Sequence, residues 1–210
     1  MPQYHNMGSL IFNSLEGPQI LDSDTLVYMV YKQGYMDSGV HGLDVTIDGA
    51  IQLAKTVANN DGDSYHSYDV YAVPLDRLPG LSINHPTRDF GWMNQEPLFS
   101  TKKSAYSPRQ HYRTEITQED NVFHVIYRQS SGMGSGVLGV SKHKKSALSL
   151  AKKAISQEPD DFSYIGLYAI PIGKVPSTLD NYKEDFGWMN SEPIFSGRKQ
   201  KAEGKIKTLV

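Results

Sequence analysis

The sequence predicts an α+β protein built from two tandem copies of a ββαβ(β) unit, with mainly antiparallel sheets and one helix per copy. Residues 89–100 read DFGWMNQEPLFS and residues 185–196 read DFGWMNSEPIFS, so that ten of the twelve positions are identical. Shorter segments upstream match at an offset of 96 or 97 residues. Within each copy, runs of strand-forming residues flank one amphipathic helical segment, which indicates a repeated mixed unit.

Each unit begins with two short strands. The first strands are the β-rich runs 26–31 and 122–127, and a glycine-bearing turn follows each of them. The second strands are predicted over residues 40–45 and 137–140. The connection between the two strands is too short for a parallel crossover, so we expect antiparallel pairing.

A helix and a third strand follow in each unit. Apolar residues recur at helical spacing in both copies, which predicts one buried face per helix. These residues are Ile47, Ala50, Ile51, Ala54 and Val57 in the first copy and Ala147, Leu148, Ala151, Ala154 and Ile155 in the second. The third strands are predicted over 68–75 and 165–172, each with a proline near its end that favours a strand end or edge.

The repeat divides the chain into five segments. The units span 24–103 and 121–199, and a domain of about 80 residues is marginally stable alone, so we expect the two to pack as a pseudo-twofold pair. Residues 104–120 are polar, lack a sustained period and are predicted to be a connector. Residues 1–23 are predicted to be an N-terminal extension and 200–210 a basic C-terminal tail.

Composition excludes several functional classes. The 210 residues include no cysteine, which excludes thiolate zinc sites, iron–sulfur clusters and cysteine nucleophiles. The seven histidines form no HxH or HExxH pair, so we expect no metal, and no sequence motif calls for a cofactor. No apolar run approaches the roughly 18 residues that span a bilayer, and the first residues lack a basic signal-peptide start. We therefore expect a cytoplasmic protein with no membrane partner.

Charge is divided unevenly between the halves. Residues 1–104 carry a net charge of −6 and residues 105–210 a net charge of +4. This asymmetry predicts that the copies have diverged toward different partners, or that they attract one another or a second chain, which leaves a homo-oligomer open. The sequence pI of about 6.4 and the lack of aromatic residues among the basic ones disfavour direct nucleic-acid binding.

The repeated block has two interpretations. As a fold signature, its aromatic residues Phe90, Trp92 and Phe99 pack the core while Asn94 holds a turn. As a recognition loop, it faces a protein partner, since tryptophan beside polar residues is typical of interface hot spots. The candidate partner-binding residues are Trp92, Asn94 and Glu96 and their counterparts Trp188, Asn190 and Glu192. The Asp-Phe-Gly tripeptide does not indicate a protein kinase, because the other kinase motifs are missing.

A second candidate site lies where the second helix is predicted to begin. A glycine-rich turn and a lysine cluster precede free helix amides there, a combination that suits an anion such as a phosphorylated small ligand. The candidate residues are Gly134, Gly136, Lys142, Lys144 and Lys145. The alternatives are that the glycines serve a tight hairpin and that the lysines form a solvated basic face.

No constellation of catalytic residues stands out. Asp89 and Glu96, or their counterparts Asp185 and Glu192, are suited to acid–base hydrolysis only if the loop brings the two carboxylates together. We therefore expect no enzymatic activity, with hydrolysis as the weakest of the open alternatives.

The overall layout adds one expectation about function. Val-Tyr strands, Ser-Gly-Val-x-Gly turns, an alanine-rich helix, Tyr-Ala-Val-Pro and Glu-Pro-Ile-Phe-Ser follow one another through most of both copies. This layout resembles that of small uncharacterised α+β accessory proteins of large tailed bacteriophages. The resemblance implies a protein of the host cytoplasm that binds or inhibits a host or defence component, and it implies no catalytic residues. The sequence thus favours a non-enzymatic interaction protein, with the phosphorylated-ligand protein as the alternative.

Overall fold

Each half of the chain forms an antiparallel sheet that carries one helix. The computed structural model describes residues 18, 20–34, 38–61, 66–79, 90–102, 122–130, 135–158, 162–176, 186–199 and 206–208. The first half contains β1 (Leu26–Gln33), β2 (Gly39–Asp44), α1 (Ile47–Asn60), β3 (Ser67–Pro74) and β4 (Phe99–Ser100). Its strand order is β2-β1-β3-β4.

The second half repeats this order of elements and adds one strand. It contains β5 (Val122–Gln129), β6 (Gly136–Ser141), α2 (Lys144–Gln157), β7 (Tyr164–Pro171), β8 (Phe195–Lys199) and β9 (Ile206–Thr208). The strand order is β6-β5-β7-β8-β9, and every strand pair in both sheets is antiparallel. The α+β class, the antiparallel pairing and the one helix per half are therefore confirmed.

The structure differs from the predicted elements in detail. β1 and β5 each run two residues further than predicted, and Pro74 and Pro171 are the last residues of their strands, as expected. β9 lies within the segment predicted to be a basic tail, where it pairs with β8 through Arg198 and Lys207. The backbone groups of an edge strand attract a further strand, and three residues of tail suffice to pair with them.

The two helices begin in different ways. Thr46 caps α1, because its Oγ1 accepts a hydrogen bond of 3.0 Å from the Gly49 amide, and Asp48 lies in the first turn. His143 precedes α2 and makes no side-chain capping bond. α2 is stabilised instead by the burial of one of its faces, which consists of Ala147, Ala151, Ala154 and Ile155. Neither helix is long and apolar enough to cross a membrane.

A shared core joins the two sheets. Val27, Met29 and Val73 of the first sheet and Phe123 and Val125 of the second belong to one cluster, and none of these five side chains is exposed to solvent. The alternate residues of the strands face α1 or α2 and form two further clusters. Because the largest cluster draws on both sheets, each unit buries its inner face against the other.

The repeated block of each unit crosses to the second strand of the other unit. Gly91 forms a parallel bridge with Val137, and Gly187 forms one with Val40. The Phe90 carbonyl lies so close to Gly136 that a Cβ atom there would clash with it, and the Phe186 carbonyl lies in the same way against Gly39. Gly91 and Gly187 also have φ angles of +64° and +61°, which side chains strain to adopt.

Hydrogen bonds reinforce the crossing in both directions. The Tyr31 hydroxyl donates to the Ser135 carbonyl at 3.1 Å, and the Tyr127 hydroxyl donates to the Ser38 carbonyl at 2.9 Å. The Ser-Gly-Val segment of each unit therefore receives both a tyrosine and the repeated block of the other unit. The close approach of the two backbones explains Gly39 and Gly136 more fully than the tight hairpin we expected.

This packing predicts that Gly39→Ala destabilises the protein much more than Gly42→Ala, although both residues lie on β2. A methyl group at Gly39 would displace the backbone of residue 186, whereas the nearest backbone atom at Gly42 is 3.6 Å away and a flexible Leu53 side chain is the closest neighbour. We expect Gly39→Ala to lower the free energy of unfolding by about 3 kcal/mol and Gly42→Ala by less than about 1 kcal/mol, as measured by urea denaturation. Equal effects would contradict the close approach.

Candidate functional site

The tryptophans of the repeated block lie in or against the core. Trp92 is completely buried, and Trp188 is half-buried and packs against the same cluster. Phe90, which the fold-signature interpretation places in the core, is 41% exposed, and Phe99 is half-buried. The Trp92 side chain is therefore not at the surface of the folded chain.

The polar candidates of the block lie nearer the surface. Asn94 is half-buried, and its Oδ1 accepts a hydrogen bond of 3.0 Å from the Phe90 amide, so that it holds the turn. Asn190, Glu96 and Glu192 are exposed. Asn94 and Glu96 both line an open cleft at the rim of the block.

An open polar cleft borders the 3₁₀ turn Trp92–Asn94. Its volume is about 490 Å³. We call it the first-unit cleft; it lies between β1, β3 and β4 and the second half of the repeated block. Its lining includes Gln33, Ser67, Asp69, Tyr71, Asn94, Gln95, Glu96, Pro97, Ser100 and Lys102.

Asp69 is the buried charge of this cleft. It lies on β3 opposite Ser100 of β4 and is only 5% exposed. The Tyr71 hydroxyl donates to Asp69 Oδ2 at 3.5 Å, and Gln33 Nε2 donates to the Tyr71 oxygen at 2.7 Å. A carboxylate is seldom buried this deeply in a strand unless charged or polar groups face it.

Tyr71 stays neutral at physiological pH. Burial raises the pKa of its hydroxyl, and the negative charge of Asp69 raises it further. The neutral hydroxyl donates hydrogen bonds well, but it is neither a base nor an activated nucleophile. This arrangement suits the binding of a polar group better than a chemical step.

Gln95 fixes the wall of the first-unit cleft. Its Nε2 donates to the Ala72 carbonyl at 2.8 Å and to the Trp92 carbonyl at 3.0 Å, so that the block is tied to β3. Position 95 is one of the two that differ between the copies, and Ser191 stands at the equivalent place. The Ser191 hydroxyl donates to the Trp188 carbonyl at 2.6 Å, a bond within its own turn.

The second unit has different residues at the place equivalent to the cleft. Gly166 stands where the first unit has Asp69, and the Tyr168 ring packs over it so closely that a Cβ atom would lie 2.6 Å from the ring. Further along, the Arg198 guanidinium lies 5.4 Å from the centroid of the Tyr164 ring and donates to its hydroxyl at 3.0 Å. The two units therefore present different surfaces at this place.

Sequence reasoning missed Asp69, Tyr71 and Gln33 as site residues. The available signal was the mismatch between copies, because Tyr-Asp-Val-Tyr aligns with Ile-Gly-Leu-Tyr in an otherwise apolar strand. A charged residue on the inner face of a strand is a sign of a specific environment.

The proposed anion-site residues are only partly placed. Gly136 is buried in β6 against Phe90, and Gly134 lies outside the described residues, as do Asp89 and Asp185. Lys144 and Lys145 are exposed and Lys142 is half-buried. Burial lowers the pKa of the neighbouring His124, backbone hydrogen bonds at Lys142 and Ser141 offset part of this effect, and the positive charge of Lys144 adds to it. The lysine cluster stays a predicted anion site.

Among the described residues, no group of three or more histidine, aspartate or glutamate side chains is arranged to hold a metal ion. No family model, no curated protein and no solved structure matches the chain.

The buried tyrosines predict a loss of stability at alkaline pH. Burial raises the pKa values of Tyr31, Tyr71, Tyr127 and Tyr168 above the ordinary value of 10, so these hydroxyls stay protonated in the folded state when the unfolded chain ionises. Their contribution is complete below about pH 10 and declines above it, by at most about 1.4 kcal/mol per pH unit for each such tyrosine.

Urea denaturation between pH 8 and pH 12 measures this loss, and phenolate absorbance of the folded protein identifies its source. We expect the free energy of unfolding to fall less steeply with pH in Tyr71→Phe than in the wild type. The explanation is wrong if all thirteen tyrosines of the folded chain ionise together near pH 10.

Proposed function

We propose that this chain works by binding a macromolecular partner without a chemical step, and that the first-unit cleft receives a basic side chain of that partner. The observation that carries the proposal is the Asp69 carboxylate, which is buried in the strand face that lines the cleft. A lysine or arginine side chain inserted from a partner complements such a carboxylate.

The charge around the cleft supports a cationic group. Glu96 lies exposed at the rim, and Lys102 also lines the cleft, so the lining carries two carboxylates and one ammonium. This site belongs to the half of the chain whose net charge is −6. A negative field of this kind steers basic partners toward the site.

The neutral groups of the cleft supply specificity. Gln33, Asn94, Ser67 and Ser100 line it, and the contacts of Gln95 with β3 hold its wall. Because these groups are already placed by the sheet, little ordering is needed when a partner binds.

The proposal includes the relation between the two units. We propose that they are copies related by a pseudo-twofold axis, and that the second copy lost the cleft when glycine and an arginine–tyrosine pair came to occupy it. The reciprocal contacts of Tyr31 and Tyr127 support this relation. The resemblance to phage accessory proteins suggests that the partner is a host or defence protein in the host cytoplasm and that binding inhibits it.

A capture experiment tests the function. The tagged wild-type chain and the double variant Asp69→Asn, Glu96→Gln are incubated with nuclease-treated host lysate, and bound proteins are identified by mass spectrometry. We expect one stoichiometric protein with the wild type and at least a tenfold loss with the double variant, since both changes remove charge and keep shape.

Glu192→Gln is the matched control, because it makes the same change in the same repeated block but away from the cleft. It is expected to retain the captured protein fully. Retention by the double variant, or an equal loss in Glu192→Gln, would refute binding through the first-unit cleft. A nucleotide or other phosphorylated compound bound by the wild type and lost in Lys144→Glu, Lys145→Glu would instead favour the alternative function.

A further inference from the structure

A second, narrower site lies where the two units meet behind α2. We call it the Arg128 crevice. Leu78 and Pro79, from the segment after β3, form one side, and Leu138 of β6 belongs to its apolar lining. The polar residues of the crevice are Arg128, Gln157 and Glu158. Neither the first-unit cleft nor the lysine cluster shares any of these residues.

Arg128 is almost entirely buried and only partly paired. It lies near the end of β5 and is 3% exposed. Its Nη1 is 3.5 Å from Glu158 Oε1 in an ion pair whose two side chains are each 4% exposed. Its Nε and Nη2 find no hydrogen-bond acceptor among the described residues. Burying charged donors without acceptors is costly, so these two groups point to a ligand.

The geometry of the two donors indicates a flat oxyanion. Nε and Nη2 form one edge of the guanidinium, and their N–H bonds run parallel, which matches the two oxygens of a carboxylate. The crevice has room for about 20 Å³, enough for one small group.

The local charges favour an anion. Lys199 Nζ donates to the Glu158 backbone carbonyl at 3.0 Å, so a second cation lies beside the residue that pairs with Arg128. Leu78 and Leu138 in the lining suit a short apolar group attached to the acid.

The first unit shows the contrast. Lys32 stands at the position equivalent to Arg128, and Asp61 at the position equivalent to Glu158. Asp61 Oδ2 lies 2.9 Å from His66 Nδ1 and accepts a hydrogen bond of 2.8 Å from the Tyr68 hydroxyl. Ile165 replaces Tyr68 in the second unit, so that hydroxyl is lost there, and arginine brings donors that lysine lacks.

We propose that the Arg128 crevice binds a carboxylate that carries a short apolar group, through a bidentate contact with Arg128 Nε and Nη2. The acid is either a free short-chain carboxylic acid or the C-terminal carboxylate of a peptide. The site is separate from the first-unit cleft and does not depend on its function.

Nuclear magnetic resonance of the full chain tests the proposal through the Arg128 Nε–H signal. The probes are butyrate, acetyl-Ala-Val with a free carboxylate, and two controls, butyramide and the C-terminal amide of the same peptide. We expect the carboxylates to shift the signal with dissociation constants of about 1–10 mM and the amides to leave it unchanged. A shift with butyrate alone identifies a free acid, and a shift with the peptide acid identifies a chain terminus.

Two variants make the result decisive. Arg128→Lys keeps the positive charge beside Glu158 but lacks the paired donors, so binding measured by calorimetry is expected to weaken at least about tenfold. Gln157→Glu adds a negative charge at an exposed position of the crevice and is expected to weaken carboxylate binding even if Arg128→Lys does not fold. No shift with either carboxylate, or equal shifts with the amides, would overturn the proposal.

Discussion

The close approach of two backbones holds this structure together. The carbonyl of Phe90 lies against Gly136, and the carbonyl of Phe186 lies against Gly39, so the repeated block of each unit reaches the second strand of the other. Only glycine permits this distance. Once the blocks are in place, Trp92 is buried and the inner faces of both sheets close over one core. Each unit thus completes the other, which explains why the block and the Ser-Gly-Val segment recur together.

The same arrangement positions the candidate site. The first half of the block makes the contact between the units, and its second half lies beside β3 and forms one wall of the cleft. In the first unit Gln95 ties that wall to the sheet, and Asp69 lies in the open cleft. In the second unit Gly166 lets the Tyr168 ring close over the equivalent place. One scaffold therefore carries an acidic cleft in the first unit and different residues at the matching place in the second.

Much of the fold could be predicted from the sequence, because periodicity reports burial and the repeat marks equivalent elements. The helical spacing from Ile47 to Val57 correctly predicted α1, and the two prolines correctly predicted the ends of β3 and β7. The contact between units was not predictable in detail, since a glycine in a turn motif serves a hairpin and a close approach equally well. The cleft was missed because it depends on which strand face Asp69 occupies. Arg128 was missed because local pattern does not reveal an ion pair between distant residues.

Cooperative unfolding of the full chain tests the central claim that the two units form one folded body. Differential scanning calorimetry of the wild type is the direct measurement. A single transition, whose calorimetric and van't Hoff enthalpies agree, is the result that the reciprocal crossing predicts. Two separate transitions, or a calorimetric enthalpy about twice the van't Hoff value, would show that the units unfold independently and would contradict the account.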